Sequence, residues 1–161
     1  MYIPNSFRED NPAELHALIR QYNFAILVTQ RDGAPFATHA PFLLDAERGP
    51  HGTLLAHIAR ANPQWRDFDG QQEALVIFQG PDAYVSPNWY PSKHETGRAV
   101  PTWNYAVVHA HGKARLMDEA ELHDLVVRLS NTYEAGRPKP WRATELPAEF
   151  VGNLLKAIVG F

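Results

Sequence analysis

Three stretches of this chain gather side chains able to do chemistry. The first is His57-Ile58-Ala59-Arg60-Ala61-Asn62-Pro63-Gln64-Trp65. Asn followed by Pro is a helix-start signal, because Asn caps and Pro suits the first helical position. Free backbone N–H groups and the dipole at such a start attract anions. The planar fork of Arg60 suits phosphate. The segment reads either as a phosphate site or as a plain cap followed by a solvated arginine. The second stretch, Gly80-Pro81-Asp82-Ala83-Tyr84-Val85-Ser86-Pro87-Asn88-Trp89-Tyr90, crowds aromatics and hydroxyls into a loop. Such a surface can stack a flat ring and hydrogen-bond its edge, or it can fill a core or a subunit interface. The third is Val100-Pro101-Thr102-Trp103-Asn104-Tyr105. On a strand, Thr102 and Asn104 lie opposite Trp103 and Tyr105, so one face can meet a ligand and the other the core.

Other chemistries find little support. His109 and His111 share a strand face and could join His39 or His57 around a metal, but no acidic residue or third histidine lies nearby in sequence. No metal site is expected. Ser86 is not in a Gly-x-Ser-x-Gly elbow, and the glycines form neither a P-loop nor a dinucleotide fingerprint.

The elements that must position these residues are legible from pattern. Asn11-Pro12-Ala13-Glu14 opens a helix carrying Leu15, Leu18, Ile19 and Tyr22 on one stripe. Strands follow at Phe24–Thr29 and Ala34–Leu44, joined by an Arg31-Asp32-Gly33 hairpin turn and interrupted at Pro35 and Pro41. A third strand spans Thr53–Ile58, and a short helix lies near Gln64–Phe68. A fourth strand at Ala74–Phe78 is broken by Gly80-Pro81-Asp82 and resumes at Ala83–Ser86. Pro87–Arg98 reads as irregular loop, and Val100–His111 as a strand. Asp118 with Glu121 forms a capping box for a helix to about Tyr133, marked as amphipathic by Leu122, Leu125, Val126, Leu129 and Tyr133. Pro147 opens a last helix with Phe150, Val151, Leu154, Leu155 and Ile158 inward. Five or six closely spaced strands with helices at the ends predict an α+β sheet or barrel.

Composition bounds the classes. The chain has 161 residues, 45% of them apolar, which is one domain's length with enough apolar side chains for a core. No cysteine is present, so disulfides, Cys-ligated zinc, iron–sulfur clusters and thiol nucleophiles are excluded. Net charge is −3, which leaves no whole-chain footprint for nucleic acid. The N-terminus carries no secretory signal pattern, and no apolar run is long enough to span a bilayer, so a cytoplasmic protein without a membrane segment is expected.

Several blocks resemble the PaiB family in its own order: Met1-Tyr2-Ile3-Pro4 with Phe7, Ala37-Thr38-His39, His57–Pro63, Gly80–Pro87, Trp89-Tyr90, Lys93, Val100–Tyr105 and Ile158-Val159-Gly160-Phe161. The resemblance covers essentially the whole chain, read as one domain over 1–161 with a helical part from about 118. It implies an FMN-binding split β-barrel of about six mainly antiparallel strands with flanking helices, similar to pyridoxamine phosphate oxidases and flavin reductases. It also implies a homodimer with FMN at the subunit interface, and a negative transcriptional regulator type. The residues expected to hold FMN are Thr38, His39, His57, Arg60, Asn62, Ser86, Trp89, Tyr90, Lys93, Trp103 and Asn104. Family members continue past Ile-Val-Gly-Phe into a further strand and a Lys-Leu-Ser-Gln-Asn motif, so this chain reads as a C-terminally shortened form.

Three functions compete. A flavin-binding redox enzyme or sensor needs no protein base that the sequence can name, since flavin carries the redox chemistry. A regulator could act without cofactor through protein contacts. Direct DNA reading is disfavoured by the charge and by the lack of a helix-turn-helix, and Arg137-Pro138-Lys139-Pro140-Trp141-Arg142 is the only local basic cluster. A haem-binding or haem-degrading split barrel would use one of the eight histidines.

Overall fold

The computed structural model describes residues 1–161. Helix α1 (Pro12–Gln21) starts as expected, with the Asn11 side chain accepting from Ala13 N. It leads into β1 (Phe24–Arg31) and β2 (Ala34–Pro41), paired antiparallel with Phe24 opposite Pro41 and Arg31 opposite Ala34. Their turn places Asp32 at φ 51° and Gly33 at φ 80°, the left-handed conformation that an Asp-Gly hairpin supplies.

The predicted second strand divides at Phe42 into β2 and β3 (Leu43–Asp45). The third divides at Ala56 into β4 (Thr53–Leu55) and β5 (His57–Ala59). Strand β6 (Glu73–Val85) runs on without the expected break. Gly80-Pro81 sits in a bulge between Gln79 and Asp82, so Pro81 is not asked for a ladder hydrogen bond. The expected loop after it holds a 3-10 turn at Pro87–Trp89 and helix α2 (Pro91–Thr96). Strand β7 (Thr102–Lys113) returns along β6. Helix α3 (Glu119–Glu134) carries the full Asp118/Glu121 capping box. Helix α4 (Ala148–Leu155) precedes a short β8 (Ile158–Gly160).

The main sheet has the order β2-β1-β6-β7, with β3-β4 and β5-β8 as two-stranded companions. Its inner face carries Ala25, Leu27, Ala40, Ala74, Val76 and Phe78, which join Ile19, Phe42, Ala56, Ile58, Phe68 and Phe161 in one core. A second, smaller cluster sits under α3, where Leu125 and Leu129 meet Leu55. Three inward expectations for the last helix fail: Phe150 and Leu154 are about half exposed on α4, and Ile158 belongs to β8 rather than to a helix. Tyr133 is exposed at the end of α3. α4 is only two turns long and buries Leu155 fully and Val151 in part, which leaves Phe150 and Leu154 on its open side.

One feature of register governs the site. β1 pairs with β6 only at Leu75, Val76 and Ile77. Beyond Gln79, strands β6 and β7 continue together as a two-stranded arm, with Asp82 opposite Tyr105 and Val85 opposite Thr102. α2 and the Pro87–Trp89 turn form its tip.

Candidate functional site

The eleven expected residues fall into two groups. The first lies at the β2 edge. Asn62 accepts from Gln64 N at 3.0 Å, capping the 3-10 turn Pro63–Asp67, and donates to Thr38 Oγ1 at 2.8 Å. Alternation along β2 puts Thr38 on the inner side with Ala40, and His39 on the opposite, outer side. There His39 stacks on the exposed ring of Phe24, with centroids 6.3 Å apart. Thr38 and His39 therefore point to opposite faces of the sheet.

Arg60 is already engaged by the protein. Its Nε donates to Lys156 O at 2.7 Å and its Nη2 to Ile158 O at 2.9 Å, while its main-chain N donates to Ala157 O. The guanidinium ties the α4–β8 turn to β5, and Nη1 is the donor left over for a ligand. Trp65 is structural as well, since its indole N–H donates to Arg60 O at 3.0 Å.

His57 pairs with Gly160 and so shares its face. A side chain at Gly160 would meet Leu122 and Met117, so this is the face that α3 covers. His57 Nδ1 is buried without a hydrogen-bond partner, and burial pulls the imidazole pKa below its usual 6.5, favouring the neutral ring.

The second group lies on the arm. Ser86 caps the turn Pro87–Trp89 by accepting from Asn88 N at 3.2 Å. Lys93 reaches back to Asn88 Oδ1, and His94 to Asn88 O. Trp103 stands opposite Tyr84 and meets it edge-on, with centroids 5.9 Å apart. Asn104 stands opposite Ala83 on the other side. Trp89 is 70% exposed, Trp103 59% and Tyr105 65%, with Tyr84 and Tyr90 also open, so the arm presents a continuous aromatic surface that nothing in the chain covers.

The sheet order keeps the two groups apart. β2 and β7 are opposite edges, three strand spacings or about 14 Å from each other, and the arm leads further away. A flavin nucleotide needs donors for a phosphate and a flat apolar surface for a ring. The first group offers Arg60 Nη1, the Thr38 hydroxyl and the Asn62 amide. The second offers open aromatic faces with Lys93, Ser86 and Asn104. Each set matches one end of such a molecule, and the sheet order holds the two sets apart within one chain.

Sequence reasoning missed the network that holds the first group in place. Gln64 is fully buried, and its amide donates to Leu27 O, Thr29 Oγ1 and Phe36 O at 3.1–3.3 Å. Thr29 Oγ1 donates to Asp67 at 2.9 Å, and Arg31 bridges Pro63 O and Asp67. Only the Asn-Pro cap signalled that this turn existed. Nothing in one sequence marks a glutamine as a core residue.

The family described as "Putative FMN-binding domain" matches residues 1–161. The Bacillus subtilis protein "Protease synthase and sporulation protein PAI 2" is 37% identical over 161 residues, which is 100% of this chain and 75% of the relative. An Emericella nidulans protein, AN0679, is 31% identical over 99% of this chain and 78% of its own length. Among solved structures, the FAD and haem binding protein of Mycobacterium smegmatis superposes with a TM-score of 0.65 at 19% identity, over 92% of this chain and 63% of that one. The flavocytochrome Anf3 of Azotobacter vinelandii gives 0.65 at 17% identity, over 99% and 66%. The chain thus spans about two thirds of these structures and shares their split-barrel fold.

Proposed function

This chain belongs to the FMN-binding domain family of the PaiB type, and from that membership we infer that it binds FMN between two copies of itself. The observation that carries the inter-subunit placement is the sheet order. It sets the phosphate-type donors and the aromatic arm on opposite edges of one chain. A two-fold pair lets each arm reach the partner's β2 edge, giving two equivalent sites.

In each site Arg60, Asn62 and Thr38 hold the phosphate end. Trp89, Tyr90 and Trp103 form the stacking surface, and Ser86, Lys93 and Asn104 supply polar contacts to the ring edge or ribityl chain. His39 with Phe24 lines the outer sheet face along which the copies meet. His57 keeps the β5–β8 pair in place under α3. Bound FMN supplies hydride or single-electron transfer. The protein's part is to orient the ring, exclude water from it through the tryptophan faces and anchor the phosphate. Residues 1–161 act as one domain in this reading. Regulation of the sort implied by the family type runs through protein contacts, in keeping with a net charge of −3. No helix of the chain is long and apolar enough to cross a membrane.

Mixed dimers test the placement. Asn62→Ala and Trp89→Ala each weaken FMN binding when pure. A one-to-one mixture after subunit exchange regains one intact site per mixed dimer, as measured by bound flavin. If mixing restores nothing while exchange is shown by mass, both groups serve the same chain and the shared-site reading fails.

A further inference from the structure

We propose that two copies of this chain pair through the outer face of the main sheet, and that His39 and His109, on the two edges of that face, make the pairing come apart in mild acid. The proposal rests on the shared-site reading and adds its regulation.

The two central strands are apolar on both sides. Phe24-Ala25-Ile26-Leu27-Val28 and Ala74-Leu75-Val76-Ile77-Phe78 are unbroken apolar runs, the pattern of strands covered on both faces. Ala25, Leu27, Ala74, Val76 and Phe78 fill the core. Ile26, Val28, Leu75 and Ile77 point the other way and are only half-buried. The helices lie elsewhere: α1 packs on the core side through Ile19, and α3 and α4 pack on β8 and on each other. Alternation along β7 carries the outer face from Val107 through Tyr105 and Trp103, so the aliphatic centre is continuous with the aromatic arm. Four strands wide and from Phe24 to Gln30 long, the face covers roughly 450 Å² in projection. The arm extends it toward the roughly 800 Å² per partner of a stable dimer. Its centre carries no charge, so it matches a second copy of itself.

Register sets the border of this face. His39 is opposite Ile26, Ile26 opposite Ile77, and Ile77 opposite His109, one row across all four strands with a histidine at each end. In the two-fold pair that brings each arm to the other copy's β2 edge, β2 lies over the partner's β7. Each His39 then comes to His109 of the partner subunit. Neutral imidazoles close over the aliphatic centre, whereas protonated ones set like charges together at both edges. The surroundings do not offset those charges. Burial first, then the N-terminal amine and His111, hold the His109 pKa below its ordinary 6.5. His111 has a carboxylate, Glu73 Oε2 at 3.9 Å, whereas His39 has the ring of Phe24 against it. Charged rings lose more hydration on pairing than neutral ones. Separated copies therefore hold more protons, and association weakens as pH falls below about 6.5.

Sedimentation equilibrium at about pH 8 and about pH 5.5 reads the pairing, with bound flavin and circular dichroism followed in the same samples. At the higher pH the unmodified chain has twice the chain mass. At the lower pH its dimer dissociation constant rises at least tenfold and FMN is released, while the circular dichroism stays that of a folded chain. The double variant His39→Gln/His109→Gln stays paired at the lower pH with His57 unchanged, which separates the switch from loss of fold. Ile77→Lys, in the centre of the face, gives a folded chain of single mass at the higher pH. A single chain mass for the unmodified protein at the higher pH overturns the shared-site reading itself. Pairing that persists unchanged in acid, or a double variant that dissociates like its parent, overturns the histidine switch and leaves that reading standing. An Ile77→Lys chain that pairs normally overturns the choice of face.

Discussion

Gln64 concentrates more consequence in one side chain than any other polar residue of the core. Its amide holds two main-chain carbonyls and a threonine from β1 and β2, and it sets the turn that presents Asn62. Gln64→Leu leaves these acceptors buried without a donor and lowers unfolding stability by about 3 kcal/mol in denaturant titration. Arg60 carries two separable roles. Arg60→Ala removes two charge-assisted bonds to carbonyls and costs about 1–3 kcal/mol of stability, and it weakens FMN at least tenfold, or about 1.4 kcal/mol. An unchanged FMN dissociation constant in a folded Arg60→Ala protein removes Arg60 from the phosphate end. The sequence suggested the phosphate role from the fork and the Asn-Pro cap. It could not show the carbonyls of Lys156 and Ile158, nearly a hundred residues away, that occupy the same guanidinium.

Two titrating groups give opposite ends of a pH profile. His57 has a folded pKa below its unfolded 6.5, so the unfolded chain takes up the proton more readily. Stability therefore falls as pH drops below about 6.5, and His57→Phe flattens that slope in thermal unfolding between pH 7 and 5. The Arg115 bonds hold the Glu121 carboxyl down at about 2, against an ordinary 4.5. Its contribution is complete above 4.5 and is lost as pH falls toward 2, so Glu121→Gln alters the profile only in that lower window.

Among the elements, the β6–β7 arm is the one on which the proposed ring surface stands. The apolar run before Gly80 was readable as strand, while the aromatics after it read equally as a stacking surface or as core or interface filling. The join between them was not, because Gly and Pro are breakers in most settings and a bulge that absorbs both leaves no separate mark. Gly80 is fixed there by packing. A Cβ would come within 3.0 Å of Ala106 O and 3.4 Å of Leu18 Cδ1. Gly80→Val forces β7 and α1 apart and costs about 2 kcal/mol, with FMN binding falling further than the stability change alone accounts for. An arm that binds FMN normally after this substitution contradicts its positioning role. The helices were more legible, since caps and 3.6-residue stripes are local. The inward positions assigned to Phe150 and Leu154 were wrong because a two-turn helix has too little face to bury every apolar residue it carries.

For the whole molecule, the fold followed from strand spacing and from the family resemblance, while the separation of the two residue groups followed from neither. Strand order is a tertiary fact. A chain read in sequence puts Thr38 on the second strand, Arg60 just past the third and Trp103 on the strand from Val100, without saying which edges they occupy. The proposal of a shared site rests on that separation, so a sedimentation mass near 18 kDa for the flavin-loaded protein would contradict it.

The most direct test of the central claim is the visible absorption spectrum of the purified chain, titrated separately with FMN and with haem. The account predicts flavin absorption retained through desalting, at one FMN per chain, in a particle twice the chain mass. A Soret band in place of flavin absorption, or no FMN retained at micromolar concentration, would contradict it.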